Sequence, residues 1–465
     1  MNHMPDLTVY RGTGAWTRRQ VLTAGGAVAV TLLAGCRPAE PSTGPVLATP
    51  SVALPTPTPA VEAQPLEIAP DLRRKLAQMV LVGFRGTVLE ADNPIVADIR
   101  DRGIGGVVLF SYDVALQSPV RNVESPAQVA ALDAALAELA ADPLMIAVDQ
   151  EGGKVARFNE THGFPPTVSA QALGEQNDPD ATYAAAAQLA ETLKAAGVRH
   201  NFAPVVDVNT NPENPVIGAI GRSFSADPAI VAAQAGAFIR AHRDRGITTT
   251  LKHFPGHGSS RSDSHLGFVD VTETWQPLEL EPYRDLISQG LVDAVMTAHV
   301  YNAQLDPETV ATLSQPIITG ILREQLGFDG VVFSDDMQMD AIADNYGFAE
   351  AVVGTVAAGV DVVVVGNNLA YEPDVAARII DLLAAAVADG RLSEARIDES
   401  YRRIMALKAK WAGQASDSPQ RTGALSAPLR GMGTDGLLCC DFFGRAGARR
   451  AGRAGAASLR AGEAG

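Results

Sequence analysis

The chain has 465 residues, 46% of them hydrophobic and 5% aromatic, with a formal net charge of -16. That length supports one large buried core, or two. The acidic balance excludes a nucleic-acid partner, which needs a basic face, and three cysteines, two of them the adjacent Cys439 and Cys440, exclude a disulfide framework.

The chain opens on Thr17-Arg18-Arg19-Gln20-Val21-Leu22, a twin-arginine pattern, followed by a small, apolar run ending Leu33-Ala34-Gly35-Cys36. A charged start, a short apolar middle and a small-residue end mark residues 1–36 as an export signal. The run is too short for a comfortable membrane span. Its last four residues resemble the lipobox of bacterial lipoproteins. That resemblance implies cleavage before Cys36, a lipid on its sulfur, and a membrane partner at the outer face of the cell membrane. Residues 37–65 are rich in Pro, Thr and Ala. They bury too little apolar area to order themselves and read as an extended tether.

From residue 66 to 411 short β-branched runs alternate with alanine-rich stretches. The runs are Met79–Phe84, Gly106–Phe110, Leu144–Val148, Phe202–Val208, Ile247–Leu251, Ala294–Ala298, Gly330–Phe333 and Asp361–Val365. Each is near-continuous rather than alternating, as strands covered on both faces are. Helices are expected at Pro126–Ala141, Ala181–Ala196, Ala229–Arg245 and Glu350–Ala358, with Ile397–Trp411 as a last amphipathic helix docking on the outside. Eight such units point to a (β/α)8 TIM-type barrel forming a single catalytic domain. The alternative is an open doubly wound sheet. The barrel is preferred because nearly every run ends in polar or charged residues, which would line one rim. Residues 412–465 turn to Gly, Ala, Ser and Arg, with seven arginines against four acids. This stretch reads as a solvated tail.

The run ends carry the chemistry. They are Asp149-Gln150-Glu151-Gly152-Gly153-Lys154-Val155-Ala156-Arg157, then Asp207, Gly221-Arg222-Ser223-Phe224-Ser225, Lys252-His253, His299 and Ser334-Asp335-Asp336-Met337. Lys252 to His265 alone hold a lysine, three histidines and an aspartate, too many ionisable groups for a core segment. Carboxylates and cations meeting at one rim suit a polyhydroxylated ligand. A metal site is set aside. Pro255 and Gly256 break any helix aligning His253 with His257, and the first run, MVLVGFRG, holds no histidine.

Taken in order, DQEGGKVAR, GRSFS, KHFPGHG, DSH and FSDDMQM resemble the glycoside hydrolase family 3 β-N-acetylglucosaminidases, over Leu66 to Trp411. The resemblance implies a retaining hydrolase that needs no cofactor and takes a GlcNAc-containing carbohydrate as substrate. It makes Asp335 the nucleophile, with Asp336 its rival. His265, paired with Asp263 on a loop, becomes the acid/base in place of a second carboxyl. Asp149, Arg157, Arg222, Lys252 and His253 become sugar-binding, each with a structural ion pair as the alternative. Lys252, Arg157 and Arg222 are expected to keep Asp335 ionised, and PGHGSSRS to act as a hinge for the dyad. His299 either supports the nucleophile or packs as core. His257 shapes its turn, while His162 and Glu151 are structural.

The expected activity is therefore that of an exported, lipid-anchored, monomeric exo-β-N-acetylglucosaminidase removing non-reducing GlcNAc from peptidoglycan fragments or chitooligosaccharides. The alternatives are a β-glucosidase of the same family, a phosphorylase, and a non-catalytic cell-wall-binding lipoprotein.

Overall fold

The computed structural model of the protein describes residues 69–265 and 267–412. The export segment, Cys36, the Pro/Thr/Ala-rich stretch and residues 413–465 lie outside the described residues.

Eight parallel strands form the barrel: β1 (Val80–Gly83), β2 (Gly106–Leu109), β3 (Met145–Val148), β4 (His200–Asn201), β5 (Thr248–Phe254), β6 (Ala294–Thr297), β7 (Val331–Phe333) and β8 (Val363–Val365). They pair in chain order from β1 to β7, and β8 pairs back onto β1. The remaining seam, β7 to β8, is joined by a parallel bridge, Phe333 with Val362, and by the Ser334 N–H donating to the Val362 carbonyl at 3.0 Å. The sheet is thus a nearly closed TIM-type barrel, and the open-sheet alternative falls.

The helices begin where the sequence caps them. Pro126–Leu139 (α1), Pro179–Ala196 (α2) and Pro228–Arg243 (α3) each carry proline in the first turn, where its missing N–H costs nothing. Each is preceded by a capping Ser125, Asp178 or Asp227 whose side chain accepts a first-turn N–H. Phe348–Ala358 (α4) ends on Gly359 in the left-handed region, as α2 does on Gly197. Composition alone missed the helix at Glu281–Ser288, which is poor in alanine.

Two expectations shift. The fourth strand lies at His200–Asn201, not Phe202–Val208; Pro204 offers no N–H to a ladder, and the backbone beyond meets β5 through separate bonds, the Thr250 N–H to the Ala203 carbonyl and an isolated bridge of Val205 with Lys252, rather than a continuous ladder. The last helix, α5 (Glu394–Ala412), meets the beginnings of the strands. Lys408 Nζ donates to the Gly105 carbonyl, Trp411 Nε1 to the Thr248 hydroxyl, and Ser400 to Asp361, so the helix lies across the N-terminal end of the barrel.

Asp361 ties this end together. Its buried carboxylate meets Arg323 (2.6 Å), Arg396 (3.1 Å) and Arg403 (3.4 Å) and accepts the Val332 N–H (2.9 Å). Removing one side of a buried ion pair costs about 3–5 kcal/mol. Asp361→Ala is therefore expected to lower the urea midpoint sharply, while Asp381→Ala, at an exposed pair with Arg73, leaves it nearly unchanged.

Candidate active site

The C-terminal ends of the strands bring the expected residues together. After β3, Gln150–Gly152 and Val155–Ala156 form a tight hairpin. Gly152 and Gly153 both take positive φ at its turn, and a Cβ on Gly152 would lie 2.3 Å from the Val168 carbonyl oxygen. The hairpin sets Asp149 and Arg157 side by side, with Arg157 reaching Asp149 at 3.3 Å and lying 5.4 Å above the Phe110 ring.

Lys252, on β5, is buried and donates to Asp149 (2.7 Å) while pairing with Glu151 (2.7 Å). Arg222 grips both oxygens of Glu151 at 2.8 and 2.7 Å, donates to the Val216 carbonyl, and reaches His253 Nε2 at 3.3 Å. Desolvation works against the charged form of Glu151, but Arg222 and Lys252 outweigh it and hold the carboxyl at about 2. Glu151 is thus the shared acceptor of the site's two most buried cations.

Asp207, fully buried, is the residue the sequence pattern undervalued. One oxygen accepts the N–H groups of His253 (3.2 Å) and His257 (2.8 Å); the other takes His253 Nδ1 at 2.7 Å. This leaves His253 Nε2 as an acceptor facing Arg222. A lone aspartate inside an apolar run was the available signal, since burial demands a partner.

His257 anchors the turn that follows. Its ring bonds Ser260 through Nδ1 (2.6 Å) and Ser264 through Nε2 (3.2 Å). Burial drops its pKa to about 4, so the ring is neutral. Asn214 donates to the His257 carbonyl and Asn211 to that of Ser260. A Cβ on Gly258 would fall 1.8 Å from the Val208 carbonyl oxygen. Pro255–Ser260 is therefore buried and pinned, which overturns its expected role as part of a hinge. Exposure begins at Arg261.

Asp263 and His265 meet as expected: Asp263 Oδ1 accepts the His265 N–H (2.8 Å) and lies 2.7 Å from Nδ1. The His265 side chain is 52% exposed. Desolvation opposes its charge, but the hydrogen bond and charge of Asp263, aided by Asp335, raise its pKa above the ordinary histidine value. Between the pair, Ser264 is held from two sides, by His257 and by the Ala341 N–H donating to its carbonyl at 3.3 Å.

Beyond β7 the two aspartates diverge. Asp336 accepts the N–H groups of Gln338 and Gly366, both at 3.0 Å, and burial pushes it up to about 6. It fastens the β7 end to the β8 end. Asp335 accepts the Asp336 N–H (2.8 Å) and stays below the usual carboxylate range. Desolvation is outweighed there by His299, His253 and His265. The expected neutralisers Lys252, Arg157 and Arg222 are instead engaged with Asp149 and Glu151. His299 bridges Thr312 (2.7 Å) and the Asp336 carbonyl (3.0 Å), placing it under the nucleophile candidate.

A model of the glycosyl hydrolase family 3 N terminal domain matches residues 71–407. The chain belongs to glycosyl hydrolase family 3. It is 42% identical over 294 residues to a beta-hexosaminidase of Xylella fastidiosa, covering 62% of this chain and 83% of the relative. Among solved structures it is similar to a family 3 beta-N-acetylglucosaminidase from Paenibacillus sp. (39% identity, TM-score 0.68), spanning 76% of this chain and 64% of that one. A beta-N-acetylhexosaminidase from Beutenbergia cavernae is 30% identical with a TM-score of 0.64, over 73% of this chain and 98% of that one. In this family 3 chain the array around Asp207 is directly testable. Asp207→Asn places an amide N–H against His253 Nδ1, forcing the other tautomer and turning Nε2–H toward the Arg222 donor. We expect kcat/KM on an aryl β-GlcNAc substrate to fall by roughly 10²-fold with the fold retained by circular dichroism; a change under about threefold would remove Asp207 from the site.

Proposed function

We propose that this enzyme removes terminal non-reducing β-GlcNAc with retention of configuration, using Asp335 as nucleophile and the Asp263–His265 pair as acid/base. The enzyme is a glycoside hydrolase of the β-N-acetylhexosaminidase type, consistent with the relatives' names. The observation that carries the finer reading is that the dyad sits on a loop held at Ser264, within electrostatic reach of an ionised Asp335.

The chemistry follows. His265 Nε2–H gives its proton to the glycosidic oxygen as an Asp335 oxygen attacks C1. The C1–O bond to the leaving group breaks and a glycosyl ester forms. His265, now neutral, takes a proton from water as that water attacks C1, and Asp335 leaves as a carboxylate. Asp149, Lys252, Arg222, Arg157 and His253 line the sugar side of this centre, with charged hydrogen-bonding groups that hydroxyls and an acetamido oxygen can meet. The residues before 66 supply export and, through Cys36, a membrane anchor. Peptidoglycan fragments or chitooligosaccharides are the substrates that place fits. The domain limits proposed are 1–36, 37–65, 66–411 and 412–465.

Asp335→Ala is expected to abolish turnover of aryl β-GlcNAc, and a fluorinated GlcNAc analogue to label Asp335; retained turnover would overturn the mechanism. His265→Ala should cost about 10²–10⁴-fold on oligosaccharides and far less on aryl substrates, whose leaving groups need little protonation. The pH profile gives a separate check. Asp263 raises the pKa of His265, so the proton needed for the first step persists to higher pH. In Asp263→Asn that support is lost, and the alkaline limb of kcat/KM on oligosaccharides should move to lower pH. An unmoved limb would separate Asp263 from the acid.

A further inference from the structure

A proton donor to the leaving group must stand beside the leaving group, so on the proposed mechanism the loop that carries His265 borders the sugar that departs. Phe268 lies three residues on and is 47% exposed. Its ring is nevertheless not free. It sits against Tyr301, centroids 5.5 Å apart with planes tilted by 38°. Tyr301 packs on the main buried cluster, and its hydroxyl donates to the Pro307 carbonyl at 3.0 Å. The backbone immediately after Phe268 is held as well, because Val269 and Asp270 pair in register with Val300 and Tyr301. The other exposed large apolar side chains among the described residues, including Val88, Tyr112, Leu116 and Val120, belong to loops after β1, β2 or β3. Phe268 alone of them stands on the dyad's own loop.

An exposed aromatic ring held edge and base is a stacking surface. β-Linked pyranoses with equatorial substituents present flat C–H faces that such rings cover, and the contact gains from desolvation without requiring a polar match. We infer that Phe268, backed by Tyr301, receives the leaving-group sugar and so makes the enzyme favour oligosaccharides over GlcNAc attached to small, non-sugar groups. This rests on His265 being the acid/base. Phe268 touches no reacting atom; it is a specificity residue whose effect depends on the aglycone being present.

The test uses the full chain and two substrates, chitotriose and β-GlcNAc fluoride, which carries no aglycone sugar. Phe268→Ala should lower kcat/KM on chitotriose about tenfold, mostly through KM, and leave the fluoride within twofold of the parent. Phe268→Trp should restore the trisaccharide. An equal loss on both substrates, or none on chitotriose, overturns the inference. His265→Ala, run alongside, separates the two levels: if it fails to distinguish the substrates, the acid/base reading falls and this inference with it. If it distinguishes them while Phe268→Ala does not, only the stacking surface falls.

Discussion

A single buried carboxylate, Asp207, organises the catalytic end of this barrel. It stands where the chain leaves the β4 region, yet all its partners belong to β5 and the turn beyond: the His253 N–H and ring, and the His257 N–H. A carboxylate removed from water is tolerable only when its lone pairs are filled. Filling them here fixes two things at once. The tautomer of His253 is set toward Arg222, and the turn that leads to the dyad is fastened to the barrel. Desolvation is outweighed chiefly by His253, and Asp207 remains ionised below the usual carboxylate range.

From that point the charges alternate across the rim. Asp149 and Glu151 share Lys252, Glu151 also holds Arg222, and Arg222 reaches the His253 that Asp207 orients. Such an array is nearly self-neutral, so it can sit in a low-dielectric place without the penalty of an isolated ion. It also keeps each donor aimed before any sugar arrives. Orientation established beforehand is what a binding site for hydroxyls needs, because reorganising charged groups would cost part of the affinity.

Most of the fold, and which charged residues stand at the rim of the barrel, were legible in the sequence, for a physical reason. Strands buried on both faces are largely apolar, and in such runs a charged terminus stands out. Hence Asp149, Lys252, His253 and Asp335 were readable as rim residues. What was not legible depends on distance across the barrel. No local pattern says that Glu151 meets both Arg222 and Lys252, separated by 71 and 101 positions. The fourth strand was misplaced because composition favours Phe202–Val208 while the ladder needs N–H groups that Pro204 lacks. The glycine- and serine-rich turn looked like a hinge, since those residues are common in mobile loops. Here Gly258 is required because the Val208 carbonyl leaves no room for a Cβ, and the serine hydroxyl of Ser260 is taken by His257. Small residues can signal close packing as well as freedom.

The separation of permanent from transient charge has a consequence for the proposed reaction. Were Lys252 or Arg222 the counterion of Asp335, forming the glycosyl ester would strand a cation in the cleft, at a cost that grows as water is excluded. Those cations are instead held by Asp149 and Glu151, which stay charged throughout. Asp335 is kept below the usual carboxylate range by His299, His253 and His265. In the first step Asp335 loses its charge by bonding to C1 while His265 loses its own by giving up a proton, so the two vanish together. In the second step they return together, as water supplies the proton and the ester is released. A carboxylic acid in the place of His265 would turn into an anion just as the ester formed. An imidazole turns neutral, and the electrostatic balance of the buried array behind it is left as it was.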